Sequence, residues 1–199
     1  MIEFVIGSSL AAAAGLNAWI PLFLLGLAAK VLPAVALPAG WSWLSSDLAL
    51  WVIGALLVLE IVADKIPALD SLNDVVHSII RPAAGGIAFG AGASARTVAV
   101  ADPGTFFSEN TWVPVVAGIV IALVVHAAKA TGRVAANAAT GGIAAPVLST
   151  TEDITAFVLS AAAIVVPVVA AILLAGLIVA IVVVVRRRSR RRRTRSAAE

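Results

Sequence analysis

The chain has 199 residues, of which 61% are hydrophobic and 13% charged, and its formal net charge is +3. Soluble domains are about 45–50% apolar and about 25% charged, so this composition excludes an ordinary soluble domain and indicates an integral membrane protein. Cysteine is absent, which excludes disulfides and thiolate metal sites. Eight of the 14 basic residues lie between residues 186 and 195, so the remainder of the chain is acidic.

Apolar segments predict about five transmembrane helices. Residues 4–29 hold no charged residue and are long enough to cross the roughly 30 Å hydrocarbon core. Gly15, Asn17 and Pro21 predict a kink or break within this first segment. It lacks the basic region of a signal peptide, so we expect it to be retained as a span. The other predicted spans are residues 48–63, 83–101, 112–128 and 154–185.

The last predicted span is too long for one straight helix, so we expect a bend at Pro167 or Gly176. The arginines of residues 186–195 follow it directly, which predicts a cytoplasmic C terminus that touches anionic lipid rather than nucleic acid. With five spans, the N terminus is then outside. We expect one bundle domain over residues 1–185 in the plasma membrane and a disordered tail over residues 186–199.

Ionisable side chains outside the tail concentrate in two stretches, and each stretch contains a stripe along one helix face. The first stripe is predicted to lie on a short amphipathic or re-entrant helix that begins with Asp70 as its N-cap and stops at Pro82. Just before it, Glu60 and Asp64 share a helix face, and Lys65 is placed to neutralise one of them. The stripe consists of Asp70, Asp74, His77 and Arg81, at offsets 0, 4, 7 and 11.

The second stripe is cationic and follows the fourth predicted span. Two predicted spans separate it from the first stripe, so both lie on the side opposite the tail and meet if each dips into the bundle. Its cations suit an anionic group such as a phosphate or carboxylate, and equally the acids of the first stretch. The stripe consists of His126, Lys129, Arg133 and Asn137, at offsets 0, 3, 7 and 11.

The acids admit more than one interpretation. The pairs Glu60/Asp64 and Asp70/Asp74 supply carboxylate oxygens for a cation, and Asp70 with Asp74 makes a weak candidate for a divalent metal. The alternative is a network of internal ion pairs, with Asp70 and Asp74 beside Arg81. The two interpretations stay open at this point.

Catalytic signatures are missing from the sequence. His77 and His126 titrate near neutral pH when unperturbed and suit a proton relay, but neither has the spacing of a zinc site. There is no P-loop and no Gly-x-Ser-x-Gly. The sequence therefore favours a protein that is not an enzyme, and no cofactor is expected.

Two further polar features have structural interpretations. Arg96 lies within the third predicted span, where it is expected to reach the interface or to pair with Glu60. Ser149 and Glu152 fit a capping box at the start of the last span.

These polar motifs together resemble one bacterial family. Residues 15–22 read Gly-Leu-Asn-Ala-Trp-Ile-Pro-Leu, and residues 60–67 read Glu-Ile-Val-Ala-Asp-Lys-Ile-Pro and continue into the first stripe. With the second stripe and residues 149–153, this pattern resembles the uncharacterised integral-membrane family catalogued as domain of unknown function 4126, over roughly residues 5–185. The resemblance implies that the polar positions form a site, and it carries no established activity.

We therefore expect an all-α, polytopic membrane helix bundle of about five transmembrane helices with one or two short amphipathic or re-entrant helices. The leading interpretation is a transporter- or channel-like protein of unspecified substrate, with a path lined by both stripes. The alternatives are a structural or assembly subunit with self-paired charges and a metal-dependent enzyme acting on a lipid-linked substrate. Gly- and Ala-rich spans permit close packing, so a homo-oligomer in the lipid bilayer is compatible with each.

Overall fold

The computed structural model describes residues 1–104, 109–110 and 112–196, without the side chains of residues 67–74, 184–185 and 187–196. In this part of the chain the fold is all-α, as predicted, with isolated β-bridges in place of strands. A 3-10 helix, Ala39–Ser45, precedes the third α-helix. The α-helices are α1 (Ile2–Leu16), α2 (Trp19–Val31), α3 (Asp47–Ala63), α4 (Pro67–Ala93), α5 (Trp112–Thr140), α6 (Ala145–Val165) and α7 (Pro167–Ser196).

The first helix is the centre of the bundle, because α1 packs against α2, α4, α5, α6 and α7. Its residues from Ile6 to Leu16 are all buried, and most of them are Ala, Gly or Ser. Small side chains let neighbouring helix backbones approach closely, so one helix can contact five others. A helix buried on every side needs no polar face, which accounts for the missing charges in this segment.

Close packing of α4 against α5 depends on glycine. A Cβ atom on Gly118 would overlap the carbonyl oxygen of Gly85 and lie 2.6 Å from the Cβ of Phe89. In the opposite direction, a Cβ atom on Gly85 would lie 2.7 Å from the carbonyl oxygen of Gly118. The two helices thus meet backbone to backbone, and this contact fixes where the polar half of α5 lies relative to α4.

Two of the predicted spans are each broken into two helices. The first breaks at Asn17 and Ala18, between α1 and α2, as the sequence predicted. The last breaks at Val166, between α6 and α7, because Pro167 lacks the amide that would continue the helix. The alternative bend position, Gly176, lies inside α7.

The first stripe does not lie on a separate short helix. The helix begins at Pro67, with Ile66 as its N-cap residue, and continues through Pro82 to Ala93. The expectations that Asp70 is the N-cap and that Pro82 stops the helix are therefore wrong. Pro82 is buried among neighbouring helices, whose packing offsets the loss of one backbone hydrogen bond.

Arg96 does not lie within a helix, contrary to the sequence expectation of a helical span over residues 83–101. The helix that contains most of the predicted third span ends at Ala93, and the exposed Arg96 follows it. Its backbone forms an isolated bridge with Ala36, and its guanidinium lies 3.5 Å from the carbonyl oxygen of Pro33. Arg96 is thereby tied to the loop after α2 rather than to Glu60.

Among the residues that the structure describes, two helices, α5 and α6, are long and apolar enough to cross a membrane, and the bent pair of the 3-10 helix and α3 makes a third if it counts as one span. The apolar helices α1 and α2 are shorter. Large apolar side chains lie on the outside of the bundle, for example Trp51 and Ile79. Such a surface favours a membrane protein. The count of about five spans, the cytoplasmic C terminus and the division into a bundle over residues 1–185 and a tail over residues 186–199 stay predictions. The last helix, α7, extends to Ser196.

Candidate functional site

The two polar stretches meet in the interior of the bundle. Side chains from the end of α3 and from α4, α5 and α6 converge beside the break between α1 and α2. Apart from Glu152, whose side chain is 15% exposed, these residues are nearly inaccessible. We call this set the charged cluster: Glu60, Asp64, His77, Arg81, His126, Lys129, Arg133 and Glu152.

One half of the charged cluster is organised by Arg81. Its guanidinium donates to Glu60 Oε1 through Nη2 at 2.8 Å and through Nε at 3.3 Å. Its Nη1 lies 3.0 Å from Nδ1 of His126, and because arginine has no acceptor, the imidazole nitrogen accepts. Nδ1 of His77 lies 3.3 Å from Glu60 Oε1. This half therefore links α3, α4 and α5 through one carboxylate and one guanidinium.

The other half is organised by Asp64 and Glu152. Asp64 Oδ2 lies 3.1 Å from Nη2 of Arg133 and 3.5 Å from Nζ of Lys129. Glu152 Oε2 accepts from Nε of Arg133 at 3.1 Å and lies 3.1 Å from Nζ of Lys129. The two cations of α5 are thus held between an acid from α3 and an acid from α6.

Backbone groups at the α1–α2 break belong to the same site. Lys129 Nζ donates to the carbonyl oxygen of Leu16 at 2.7 Å, and the amide of Ala18 donates to Glu60 Oε2 at 3.2 Å. Helix ends leave amide and carbonyl groups without helical partners, and in an apolar interior these groups need another partner. The charged cluster supplies those partners, so the break and the cluster stabilise each other.

Asn17 holds the break in place. Its Oδ1 accepts from the amides of Trp19 and Ile20, both at 3.1 Å, as an N-cap residue does at the start of a helix. Its Nδ2 donates to Asp153 Oδ1 at 3.0 Å. Lys65 Nζ lies 3.4 Å from the other oxygen of Asp153, so this acid joins the break to the end of α3.

Replacing Asn17 with alanine is expected to lower the free energy of unfolding by about 2 kcal/mol or more, because it removes the cap of α2 and leaves Asp153 without an amide donor. Ser46→Ala is the matched control. Ser46 caps α3 through the amide of Ala49 in an exposed position, and its loss should cost about 1 kcal/mol. Reversible unfolding in mixed detergent micelles measures both, and equal losses would contradict the special role of Asn17.

The remaining predicted residues have mixed outcomes. Lys65 pairs with Asp153 and not with Glu60 or Asp64, so its expected role is wrong. Asn137 lies on α5, and its Oδ1 is buried without a hydrogen-bond partner among the described residues. The side chains of Asp70 and Asp74 lie outside the described part of the chain, and so does the weak metal site assigned to them. The described residues contain no group of three His, Asp or Glu suited to a metal ion.

A cavity of about 240 Å³ reaches the charged cluster from the outside of the bundle, between α5, α6 and α7. Lys129, Arg133 and Glu152 form its polar end. The rest of its wall is apolar and comes from α1, α5, α6 and α7. The cluster is therefore buried from water while one of its ends faces an open cavity.

The comparisons place the chain in a family. A family model described as a domain of unknown function, DUF4126, matches residues 4–187. The chain belongs to the DUF4126 family. The resemblance carried by the sequence motifs is thus confirmed. No curated protein and no solved structure matches the chain.

Three residues that contribute to the site in this DUF4126 member were not predicted to do so. Asn17 was interpreted only as a helix interruption, although it is the one amide in a long uncharged segment. Ser149 and Glu152 do not form a capping box, because α6 begins at Ala145 and Ser149 lies inside the helix. Glu152 instead contacts the cations of α5, and Asp153 contacts Lys65 just after α3. The only hint in the sequence was two adjacent acids before an apolar segment.

The charged cluster is electrically balanced within the described residues of this DUF4126 member. Three carboxylates face one lysine and two arginines, with two imidazoles beside them. Buried charges of this kind are costly unless each has a partner, and each cluster charge lies within 3.1 Å of an opposite one. Such a site can exchange an internal partner for an external ion or pass a proton between its groups without leaving a net charge in the interior.

Proposed function

We propose that this protein is transporter- or channel-like and that a small ion or a proton passes through the charged cluster at the α1–α2 break. The observation that carries the proposal is the meeting of buried charges and a broken helix at one point. Ionisable side chains inside a membrane are costly and are typical of ion and proton paths. Broken helices are tolerated at membrane depth where they line such a site.

The chemistry of the cluster supports three roles. Glu60 and Asp64 suit a cation or proton, whereas Lys129 and Arg133 suit an anionic group. His126 is hydrogen-bonded to the cluster through its imidazole, a group that can take up and release a proton. The carbonyl oxygen of Leu16 at the α1–α2 break, which accepts from Lys129, adds a neutral oxygen ligand to these charged groups.

The second candidate function is a structural lock, in which the charged cluster holds the helices of the bundle together. This candidate is favoured because each charge of the cluster already has an oppositely charged partner. The pair of Glu60 with Arg81 and the pairs of Lys129 and Arg133 with Glu152 join α3 to α4 and α5 to α6. A network in which each charge already has a partner can hold a bundle together without any ligand. The two candidates differ in what happens when a whole pair is removed.

Flux through reconstituted liposomes tests the proposal. Proton entry is followed with a trapped pH-sensitive dye, and Na⁺, K⁺, chloride, phosphate and acetate are supplied in turn. The double variant Glu60→Gln/Arg81→Gln removes one acid and one base, so the interior stays balanced. We expect wild-type flux above that of empty liposomes and at least about tenfold lower flux in the double variant.

The control is Lys30→Gln/Asp47→Asn, which removes an ion pair at the ends of α2 and α3, where the side chains are 38% and 83% exposed. Its flux should equal that of the wild type. Wild-type liposomes that pass none of these solutes would contradict the proposal and favour the structural lock. Undiminished flux in a folded Glu60→Gln/Arg81→Gln variant would remove the cluster from the path.

A further inference from the structure

The cavity beside the charged cluster has two chemically distinct parts. At its polar end lie Lys129, Arg133 and Glu152, and its apolar wall includes Leu148, Leu177 and Ile181 from α6 and α7. The cavity is open, and α5 and α7, which contribute to its wall, also carry exposed apolar side chains such as Val134 and Ile178. A site with one charged end and one apolar wall matches a molecule with the same division.

The polar end carries more positive than negative charge. Two cations and one carboxylate line the cavity. The cations are also anchored from behind, since Asp64 contacts both and the carbonyl of Leu16 accepts from Lys129. Glu152 has the most exposed side chain of these charged groups, at 15% against 1% for Lys129 and 2% for Arg133. An external anion can therefore replace Glu152 while both cations keep their inner partners.

We propose that this cavity binds a single-chain amphiphile with an anionic head group, either a carboxylate or a phosphate. Lys129 and Arg133 hold the head group in the place of Glu152, and the alkyl chain lies along the apolar wall between α5 and α7. The inference goes beyond the proposed function, because it assigns a ligand class to the cavity beside the charged cluster. The volume of about 240 Å³ is below the roughly 300–1,000 Å³ of drug-sized pockets, so it fits a head group and the first carbons of a chain.

Gly132 offers a way to fill the cavity without touching the charges. It lines the cavity on α5, between the positions of Lys129 and Arg133, and a Cβ atom there would meet no atom within 4 Å. A leucine at this position fits without overlap at Cβ and occupies space meant for the ligand. Gly176 on α7 is the matched control, because it also has no neighbour within 4 Å of a Cβ and does not line this cavity.

Binding of radiolabelled decanoate to protein in nanodiscs of zwitterionic lipid tests the inference. We expect saturable binding to the wild type and to Gly176→Leu, and at least about tenfold weaker binding to Gly132→Leu. Ala180→Leu fills the cavity from the opposite wall and should weaken binding in the same direction. Thermal unfolding of each variant verifies that the bundle is folded.

Competition experiments distinguish the contribution of the head group to binding from that of the alkyl chain. Decyl phosphate should displace decanoate, whereas decanol, decylammonium and inorganic phosphate should not. Displacement by decanol or decylammonium would overturn the inference, because the cavity would then not select an anion. If inorganic phosphate displaced decanoate as well as decyl phosphate does, the inference would also be overturned, because the alkyl chain would then contribute nothing to binding. Absence of saturable binding to the wild type would overturn it as well.

Glu152→Gln tests the inference with a variant that should strengthen the binding of decanoate rather than weaken it. Because the variant removes the acid that competes with the ligand, a folded Glu152→Gln protein should bind decanoate more tightly, by about tenfold. Weaker or unchanged binding would overturn the assignment of Lys129 and Arg133 to the head group. If decanoate does not bind while ion or proton flux persists, the assigned ligand class is wrong and the proposed function stands. If decanoate binds while the liposomes show no flux, the proposed function is wrong and the binding site stands.

Discussion

Glu60→Gln is expected to lower the free energy of unfolding by about 3–5 kcal/mol, the usual cost of breaking a buried ion pair from one side. The substitution leaves the fully buried guanidinium of Arg81 without the carboxylate that accepts from it at 2.8 Å. The glutamine keeps an oxygen for the amide of Ala18, so the α1–α2 break retains its acceptor. Reversible unfolding in mixed detergent and dodecyl sulfate micelles measures the change.

The double variant Glu60→Gln/Arg81→Gln completes the test. It removes both charges, and its loss should be smaller than the sum of the two single losses by about 2 kcal/mol or more. The exposed pair of Lys30 with Asp47 is the control, and Lys30→Gln should cost less than about 1 kcal/mol. Strictly additive losses at Glu60 and Arg81 would show that the two side chains do not depend on each other.

Gly118→Ala is expected to be the other strongly damaging change, at about 3 kcal/mol, near the upper end for an overpacked interior. The added methyl group would overlap the carbonyl oxygen of Gly85 and contact Phe89 at 2.6 Å. One obstructing atom, the carbonyl oxygen of Gly85, belongs to the backbone of α4, and another is the Cβ atom of Phe89, whose position does not depend on the side-chain rotamer. No rotamer change therefore relieves the overlap. The helices must separate, which also shifts the imidazole of His126 on α5 away from Arg81.

Gly132→Ala is the matched control on the same helix. A Cβ at Gly132 meets nothing within 4 Å, and alanine is the better helix former by about 0.5–1 kcal/mol. The control should therefore unfold at the same denaturant concentration as the wild type or a higher one. Similar destabilisation by Gly118→Ala and Gly132→Ala would contradict the close backbone contact of α4 and α5.

Helical periodicity was enough to predict part of the site. Lys129 and Arg133 share a face of α5 because residues four apart lie one above the other on a helix, and the structure turns both inward. The composition likewise predicted an all-α bundle. The break at Asn17 followed from a polar residue and a proline close together in an otherwise apolar segment.

Local rules failed where tertiary packing decides. A proline normally ends a helix. Pro82 instead lies buried within α4, where the contacts of the bundle outweigh the missing backbone hydrogen bond. The sequence offered the acids of the first stretch as partners for the cations of the second stripe, but it could not specify which acid meets which cation, because the partners are distant in sequence. Asn17 and Asp153 are 136 positions apart, and Lys129 and Asp64 are 65 apart. No local pattern specifies such pairs.

The distribution of charge among the helices has a consequence for how the protein enters a bilayer. Within α5 every charged side chain is basic, and within α6 every one is acidic. A lysine or arginine at the middle of an isolated membrane helix costs roughly 2.5–3.5 kcal/mol, and α5 carries one of each. The carboxylates that pair with these cations come from the end of α3, which is synthesised before α5, and from α6, which is synthesised after it. Insertion of α5 is thus coupled to assembly, since the helix reaches a stable place in lipid only beside its neighbours on both sides in the chain.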